Sequence, residues 1–312
     1  MPQSRFHGAL VGLALGLALG CQPQATAPEA GRETPVPSAE APLRLAGVGF
    51  ATPESVLHDT EADLYLVSNI NGSPLEKDDN GFIARVSPAG NVTELKWIDG
   101  AAAAVTLNAP KGLAIVGDTL YVTDIDTVRL FDRGTGAPKG EVKVPGATFL
   151  NDLAPAPGGG VYLSDSGLKA GASGFEPSGS AAVYEIGKDG KLRTLLKGAD
   201  LPAPNGVAAD EDRVLVVTFG AAELFTIEGG QKRVLATLPA GSLDGLAKLP
   251  DGRWAVSSWE SQSVYAGPVD GPFEAILTDT QAPADISVDA KRGRLLVPKF
   301  MDDEVLIRPL QP

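Results

Sequence analysis

The sequence predicts an all-β fold, a six-bladed β-propeller of four-stranded antiparallel blades, and three observations lead to it. A short phrase recurs six times, as PESV, PKGLA, LNDLA, PNGVA, LDGLA and PADIS, with Glu54, Lys111, Asn151, Asn205, Asp244 and Ala284 at its variable position. These anchors lie 40, 39 and 40 residues apart at 111–151, 205–244 and 244–284, and 57 and 54 apart at 54–111 and 151–205. A period near 40 indicates propellers or solenoids, here with two loop insertions. No segment of the mature chain sustains a helical period.

Each repeat reads as the same series of short strands. After the anchor comes a turn rich in Gly, Asp or Pro, such as PDG at 250–252 or PGGG at 157–160. A second apolar run follows, near Leu64, Leu120, Val161, Val214, Trp254 and Leu295. Val-, Leu- and Tyr-rich runs bounded by such turns are β-hairpins. Two more strands complete a unit, at 128–131 and 141–144 in the second repeat, and six such sheets around an axis make a propeller. The ring closes if the run 43–50 supplies the outer strand of the last blade, beside 284–288, 294–297 and 304–308.

Composition fits one large domain, 43–312, because the repeats are unbroken over that length. Gly 37 and Pro 25 suit many tight turns. A formal charge of -13 without a basic cluster excludes nucleic acid and anionic membrane as charged partners; the acidity also serves solubility.

The N-terminus reads as an export signal. Arg5 precedes an apolar and glycine run of 11 residues, 9–19, and then Gly20-Cys21, so residues 1–20 form a signal peptide too short to span as a mature helix. Ala18-Leu19-Gly20-Cys21 holds the one cysteine of the chain and resembles the lipobox of bacterial lipoproteins. That resemblance implies cleavage before Cys21 and its acylation. Gln22, where an Asp would retain such proteins at the inner membrane, implies the outer membrane, facing the periplasm. The alternative is an ordinary signal peptide followed by a plain cysteine. Residues 21–42, rich in Pro, Ala and Glu, read as a flexible tether.

Cleavage would also remove His7 and leave His58 as the only histidine. Ser-His-Asp or Cys-His catalysis would have to run through His58, which reads as a surface or turn histidine away from the anchors. Zinc sites built on His and Cys lack their ligands. Oxygen chemistry remains. Inner strands of a propeller surround the axis, so the anchors converge, bringing together the carboxylates of Glu54 and Asp244 and the amides of Asn151 and Asn205. Such hard donors suit Ca²⁺, Mg²⁺ or Mn²⁺. Without a cation the carboxylates would repel and rise in pKa, unless the Lys111 ammonium alone neutralises them.

In these anchors and repeats the chain resembles the gluconolactonase, senescence marker protein (regucalcin) and luciferin-regenerating enzyme family of six-bladed propellers. The repeat plan matches over 43–312 and the specific content lies in four anchors. The resemblance implies that Glu54, Asn205 and Asp244 hold a metal, that Asn151 helps hold substrate and metal-bound water, and that Asp244 is the catalytic base. Three departures stand out: Ser55 where the family often has Gly, Phe149 for a substrate-contacting Arg, and Thr218-Phe219 for an Asp-Ser pair. They touch sugar-lactone specificity more than metal binding.

Loops that follow the second strand of each blade open on the anchor face. The insertions 69–81 and 166–181 lie there and can wall or cover a pocket. Asn69, Asp124, Asp165 and Lys299 end second strands on that face, as an outer shell of the site or as turn caps. The expectation is a monomeric, metal-dependent hydrolase of a lactone or related ester, with Ca²⁺ first and Mg²⁺, Mn²⁺ or Zn²⁺ as alternatives. Lys111 and Asn151 would orient a small-molecule substrate. The competing expectation is a propeller that binds a ligand or protein without chemistry and keeps the metal as a staple.

Overall fold

The computed structural model describes residues 41–172 and 174–310, and over them the chain forms six four-stranded antiparallel sheets. The predicted signal peptide, Cys21 and the tether as far as residue 40 lie outside the described residues. Strand β1 (Leu43–Leu45) is followed by blade one, β2 (Pro53–Asp59), β3 (Leu64–Asn69), β4 (Phe82–Val86) and β5 (Val92–Asp99). Blade two is β6 (Pro110–Val116), β7 (Thr119–Asp124), β8 (Thr127–Asp132) and β9 (Pro138–Lys143). Blade three has β10 (Leu150–Pro155) and β11 (Gly160–Asp165), a separate hairpin of β12 (Leu168–Gly171) and β13 (Gly174–Pro177), then β14 (Ala182–Gly187) and β15 (Leu192–Lys197). Blade four comprises β16 (Pro204–Asp210), β17 (Arg213–Thr218), β18 (Glu223–Glu228) and β19 (Gln231–Thr237). Blade five comprises β20 (Leu243–Lys248), β21 (Trp254–Ser258), β22 (Ser263–Gly267) and β23 (Glu274–Leu277). Blade six joins β24 (Ser287–Asp289), β25 (Arg294–Lys299) and β26 (Glu304–Pro309) to β1.

The N-terminal strand therefore closes the ring, with Leu43, Arg44 and Leu45 opposite Ile307, Leu306 and Val305. Arg44 adds a two-pronged pairing to Glu304 at 2.9 and 2.8 Å. The paired segment is shorter than the expected 43–50, because Gly47 and Gly49 take positive φ of 66° and 101° and turn the chain inward, where Phe50 is buried. The inner strand of blade six is also shorter than the expected 284–288. Asp285 N donates to Glu54 O at 2.9 Å and the Asp285 backbone bridges Ser55 in parallel, so this segment pairs with blade one across the seam.

Hydrophobic contact lies between blades. Val217 and Leu224 of blade four pack against Trp254, Val256 and Tyr265 of blade five, and Leu45, Val305 and Ile307 of blade six pack against Val56, Val67 and Ala84 of blade one. Each such buried side chain contributes on the order of 1.5–3 kcal/mol, which makes the ring a stiff mount for whatever its axis carries.

One local device aims the anchors. In blades one to five the inner hairpin shifts register across the anchor, between Pro53 and Val56, Pro110 and Leu113, Leu150 and Leu153, Pro204 and Val207, and Leu243 and Leu246. A bulge kinks the strand and redirects a side chain. Crowding at the axis explains the glycine after three anchors: a Cβ on Gly206 would come within 2.2 Å of the Asp244 carbonyl oxygen, and one on Gly112 within 2.5 Å of Asp152 Cα.

Candidate functional site

Five anchors meet at one mouth of the axis. Glu54, Lys111, Asn151, Asn205 and Asp244 line a single cavity of about 160 Å³, and all five are buried. Ala284, the sixth, is buried and contributes no polar group. Three oxygens in this cavity have no hydrogen-bond donor: Glu54 Oε2, Asn205 Oδ1 and Asp244 Oδ1. Buried acceptors left without partners are uncommon and costly, so each requires an explanation. Two carboxylates and an amide oxygen have the donor chemistry of a hard divalent cation site.

The neighbouring polar groups do not fill that gap. Lys111 donates to Pro74 O at 3.2 Å and Ala109 O at 3.1 Å, and its ammonium lies 4.6 Å from the centre of the Phe149 ring. Asn151 Nδ2 donates to Ser166 Oγ at 3.1 Å, and Ser166 Oγ donates to Pro204 O at 2.7 Å. Lys111 is thus held beside Glu54 without capping Glu54 Oε2.

Electrostatics follow from burial. Burial first, then the charges of Asp244 and Asp285, push the Glu54 carboxyl well above the usual range, with Lys111 opposing. Burial and Asp285 push Asp244 up in the same way. Trp259 opposes that shift as a nearby donor, although its indole N–H makes no hydrogen bond of ordinary geometry. Burial lowers the Lys111 ammonium to about 8 against the pull of Glu54 and Asp124.

Two further carboxylates lie next along the chain and were absent from the sequence-based site. Asp152 accepts from Leu153 N at 2.6 Å and Val207 N at 2.7 Å, and burial raises it well above its usual value. Asp285 accepts from the Ser55 hydroxyl and is raised by burial to about 7. Both line a separate cleft of about 320 Å³ among the inner strands. The repeat phrase contains the signal: the position after each anchor reads Ser55, Gly112, Asp152, Gly206, Gly245 and Asp285.

The walls above the anchors are apolar. Phe219 meets Trp259 edge to face at 5.5 Å, Trp259 meets Phe300 at 5.0 Å, and Phe149 meets Phe175 at 5.6 Å. All five rings line the cavity. Pro74 comes from the insertion in blade one, and Leu168 and Phe175 from the hairpin β12–β13, so both insertions reach the site. Phe219, Trp259 and Phe300 immediately follow second strands, fourteen to sixteen residues after their anchors. The same repeat alignment that exposed the anchors would have exposed them.

Of the two roles expected for Asn69, Asp124, Asp165 and Lys299, capping is the one the first three fill. Asn69 Oδ1 accepts from Ala51 N at 3.0 Å, Asp124 Oδ1 from Asn108 N and Ala109 N at 3.1 and 2.9 Å, and Asp165 Oδ1 from Phe149 N at 3.0 Å. Each fastens the chain just before an anchor. Lys299 pairs with Asp302 and lies 3.7 Å from Glu304. None of the four lines the cavity. His58, expected at the surface or in a turn, is buried instead, because β2 carries it inside the seam between blades one and six. Its ring lies 3.3 Å from Asp63, 3.5 Å from Asp289 and edge-on to Tyr65, away from the anchor end of the strand.

A larger cleft of about 510 Å³ lies beside blades five and six. Its charged groups already have partners, Arg253 with Asp251 and Arg308 with the Ile276 carbonyl. Among the described residues, the anchor cavity is the one that combines donorless buried oxygens with an apolar wall.

No protein-family model matches the chain, and no curated protein matches its sequence. Solved structures do. A gluconolactonase from Xanthomonas campestris is 21% identical, over 86% of this chain and 89% of that one, with a TM-score of 0.64. A luciferin-regenerating enzyme is 16% identical, over 86% and 96%, with a TM-score of 0.63. Virginiamycin B lyase from Staphylococcus aureus is 12% identical, over 87% and 99%, with a TM-score of 0.59. The chain is therefore a six-bladed β-propeller, with the fold that gluconolactonase and luciferin-regenerating enzyme also have.

Proposed function

We propose that the protein is a divalent-cation-dependent hydrolase of a lactone or related ester. The observation that carries this reading is the set of three donorless oxygens, Glu54 Oε2, Asn205 Oδ1 and Asp244 Oδ1, at the base of one cavity. They would hold Ca²⁺, with Mg²⁺, Mn²⁺ or Zn²⁺ as alternatives. Similarity of fold to a gluconolactonase supports the choice of reaction.

A bound cation would supply Lewis-acid polarisation of the ester carbonyl. Asp244 would accept a proton from the attacking water. The hydroxyl adds to the carbonyl carbon, the acyl carbon–oxygen bond breaks, and the proton passes to the leaving oxygen, giving a hydroxy acid from a lactone. Asn151, fixed through Ser166, and Lys111 orient the substrate. The aromatic wall keeps bulk water from the anchors and so preserves the strength of their charges.

Calorimetry on EDTA-stripped protein, with turnover of a lactone panel in Ca²⁺, Mn²⁺ and Zn²⁺, tests this reading. One ion per chain is expected, lost together with turnover in Glu54→Ala and Asp244→Ala. No uptake, or turnover that persists in both variants, sinks it. The second reading, a ligand-binding propeller with a structural cation, is favoured by Phe149, which stands where the family resemblance places a substrate-contacting Arg. Cation uptake without turnover of any ester would select it.

The same proposal places the protein in the bacterial cell envelope, exported as a monomer and held through acylated Cys21, at the outer membrane facing the periplasm. Cys21→Ser should move it from the membrane fraction to the soluble periplasmic fraction. An unchanged distribution would refute the anchor.

A further inference from the structure

We propose that the site takes an apolar lactone or aryl ester whose reacting end is a single ring, and discriminates against polyhydroxylated sugar lactones. The inference rests on the hydrolase reading of the same cavity and specifies its substrate class.

Polar chemistry in the cavity is confined to its base. There Lys111 gives two of its three N–H donors to backbone carbonyls and Asn151 Nδ2 donates to Ser166, which itself donates to a carbonyl, so the two side chains keep few donors beyond those that orient the ester. Among the fully buried atoms there, those without partners are the three oxygens assigned to the cation and, on the wall, one donor, Trp259 Nε1. A sugar lactone carries several hydroxyls that each need a donor or an acceptor. This wall offers them one N–H among the rings of Phe149, Phe219, Trp259 and Phe300.

Size and rim agree with that chemistry. The cavity measures about 160 Å³, and an apolar cavity of about 150 Å³ admits one benzene ring. A six-membered lactone or a phenyl group fills it, and any longer substituent must leave through the mouth. At that mouth stand Phe175, 55% exposed, and Met301, 60% exposed, two of the three large hydrophobics the described surface leaves bare. Both line the cavity, so its rim is apolar like its wall.

The test uses the Ca²⁺-loaded full chain. Turnover of dihydrocoumarin, phenyl acetate and glucono-δ-lactone is followed by pH-stat. Binding of the non-hydrolysable lactam counterparts of dihydrocoumarin and gluconolactone is measured by calorimetry. The expected kcat/KM favours dihydrocoumarin over gluconolactone by on the order of a hundredfold or more, the discrimination an apolar pocket achieves against an added hydroxyl. The aromatic lactam should bind more tightly by a similar factor. Phe175→Ser, at the exposed lip, should weaken the aromatic lactam several-fold and leave Ca²⁺ uptake unchanged. Sugar compounds turned over or bound as well as the aromatic ones overturn the apolar class and leave the hydrolase standing. If no ester is turned over, the hydrolase reading fails. The two lactams then still decide the pocket's chemistry: tighter binding of the aromatic one supports it, and tighter binding of the sugar lactam, or no binding of either, overturns it.

Discussion

The Ser55 hydroxyl donates a buried 2.5 Å hydrogen bond to Asp285 Oδ2 across the seam between blades one and six. The two residues are 230 positions apart, and the contact exists only when the ring is closed. One residue away, Asp285 N donates to the Glu54 carbonyl. Closure and the placement of a cavity carboxylate therefore share one strip of backbone. Ser55→Ala removes the donor and leaves a buried carboxyl partnerless, which costs about 1–3 kcal/mol. Denaturant unfolding should register that loss, and an unchanged midpoint would show that the bond contributes nothing.

The cation-free protein should lose stability as pH rises from acid toward neutrality. Glu54, Asp152, Asp244 and Asp285 all have carboxyls raised in the fold, chiefly by burial. A raised acid contributes its full stability below the unfolded pKa and loses it as pH climbs through the folded one. For Asp285 that window runs from 3.8 to about 7, and at 1.36 kcal/mol per unit it represents up to about 4 kcal/mol. Groups held low by partners, such as Asp59 beside Arg133 and Asp289 beside Tyr65 and Arg292, lose stability only below that window. Melting in EDTA at pH 5 and pH 8 should give the higher midpoint at pH 5. Saturating Ca²⁺ should flatten the difference.

Asp244→Asn should separate function from stability. The variant removes one of the mutually repelling carboxylates and keeps its shape, so its midpoint in EDTA should exceed that of the parent chain. The parent should gain about 2.7 kcal/mol from Ca²⁺ at a hundred times its Kd, and the variant should gain almost none. A variant less stable than the parent in EDTA would mean that the Asp244 charge is already compensated within the protein.

The architecture was legible because a propeller writes its plan as repeats: second strands begin within one residue of their expected starts, as at Leu64, Thr119 and Trp254. Convergence of Glu54, Lys111, Asn151, Asn205 and Asp244 was legible for the same reason. What the pattern concealed was side-chain use. Asp124 and Asp165 end strands on the correct face, yet backbone N–H groups two or three residues before the anchors of their own blades occupy the Oδ1 of each. Asp285 escaped notice because it follows Ala284, the anchor without a polar group, although its own carboxyl lies on the axis side. The burial of His58 depends on a seam between residues more than two hundred positions apart, which no local spacing announces.

Lys111→Met tests whether the ammonium competes with a cation. Lys111 is fully buried, lowered to about 8 by that burial, and pulled back up by Glu54. At neutral pH it is therefore mostly charged and repels any divalent ion that approaches Glu54. Methionine keeps much of the stem's volume and removes the charge, so Ca²⁺ affinity should rise at least tenfold, about 1.4 kcal/mol. The same change leaves the Pro74 and Ala109 carbonyls without their shared donor, and the loop that carries Pro74 should become less protected in hydrogen exchange. The parent chain should also bind Ca²⁺ more tightly as pH rises through 8 and Lys111 loses its proton, a dependence that should be shallower in the variant, where only the raised carboxyls of Glu54 and Asp244 still titrate. Weaker Ca²⁺ binding in the variant would instead show that Lys111 holds the site together through its two carbonyl contacts, and that repulsion by its charge is the smaller effect.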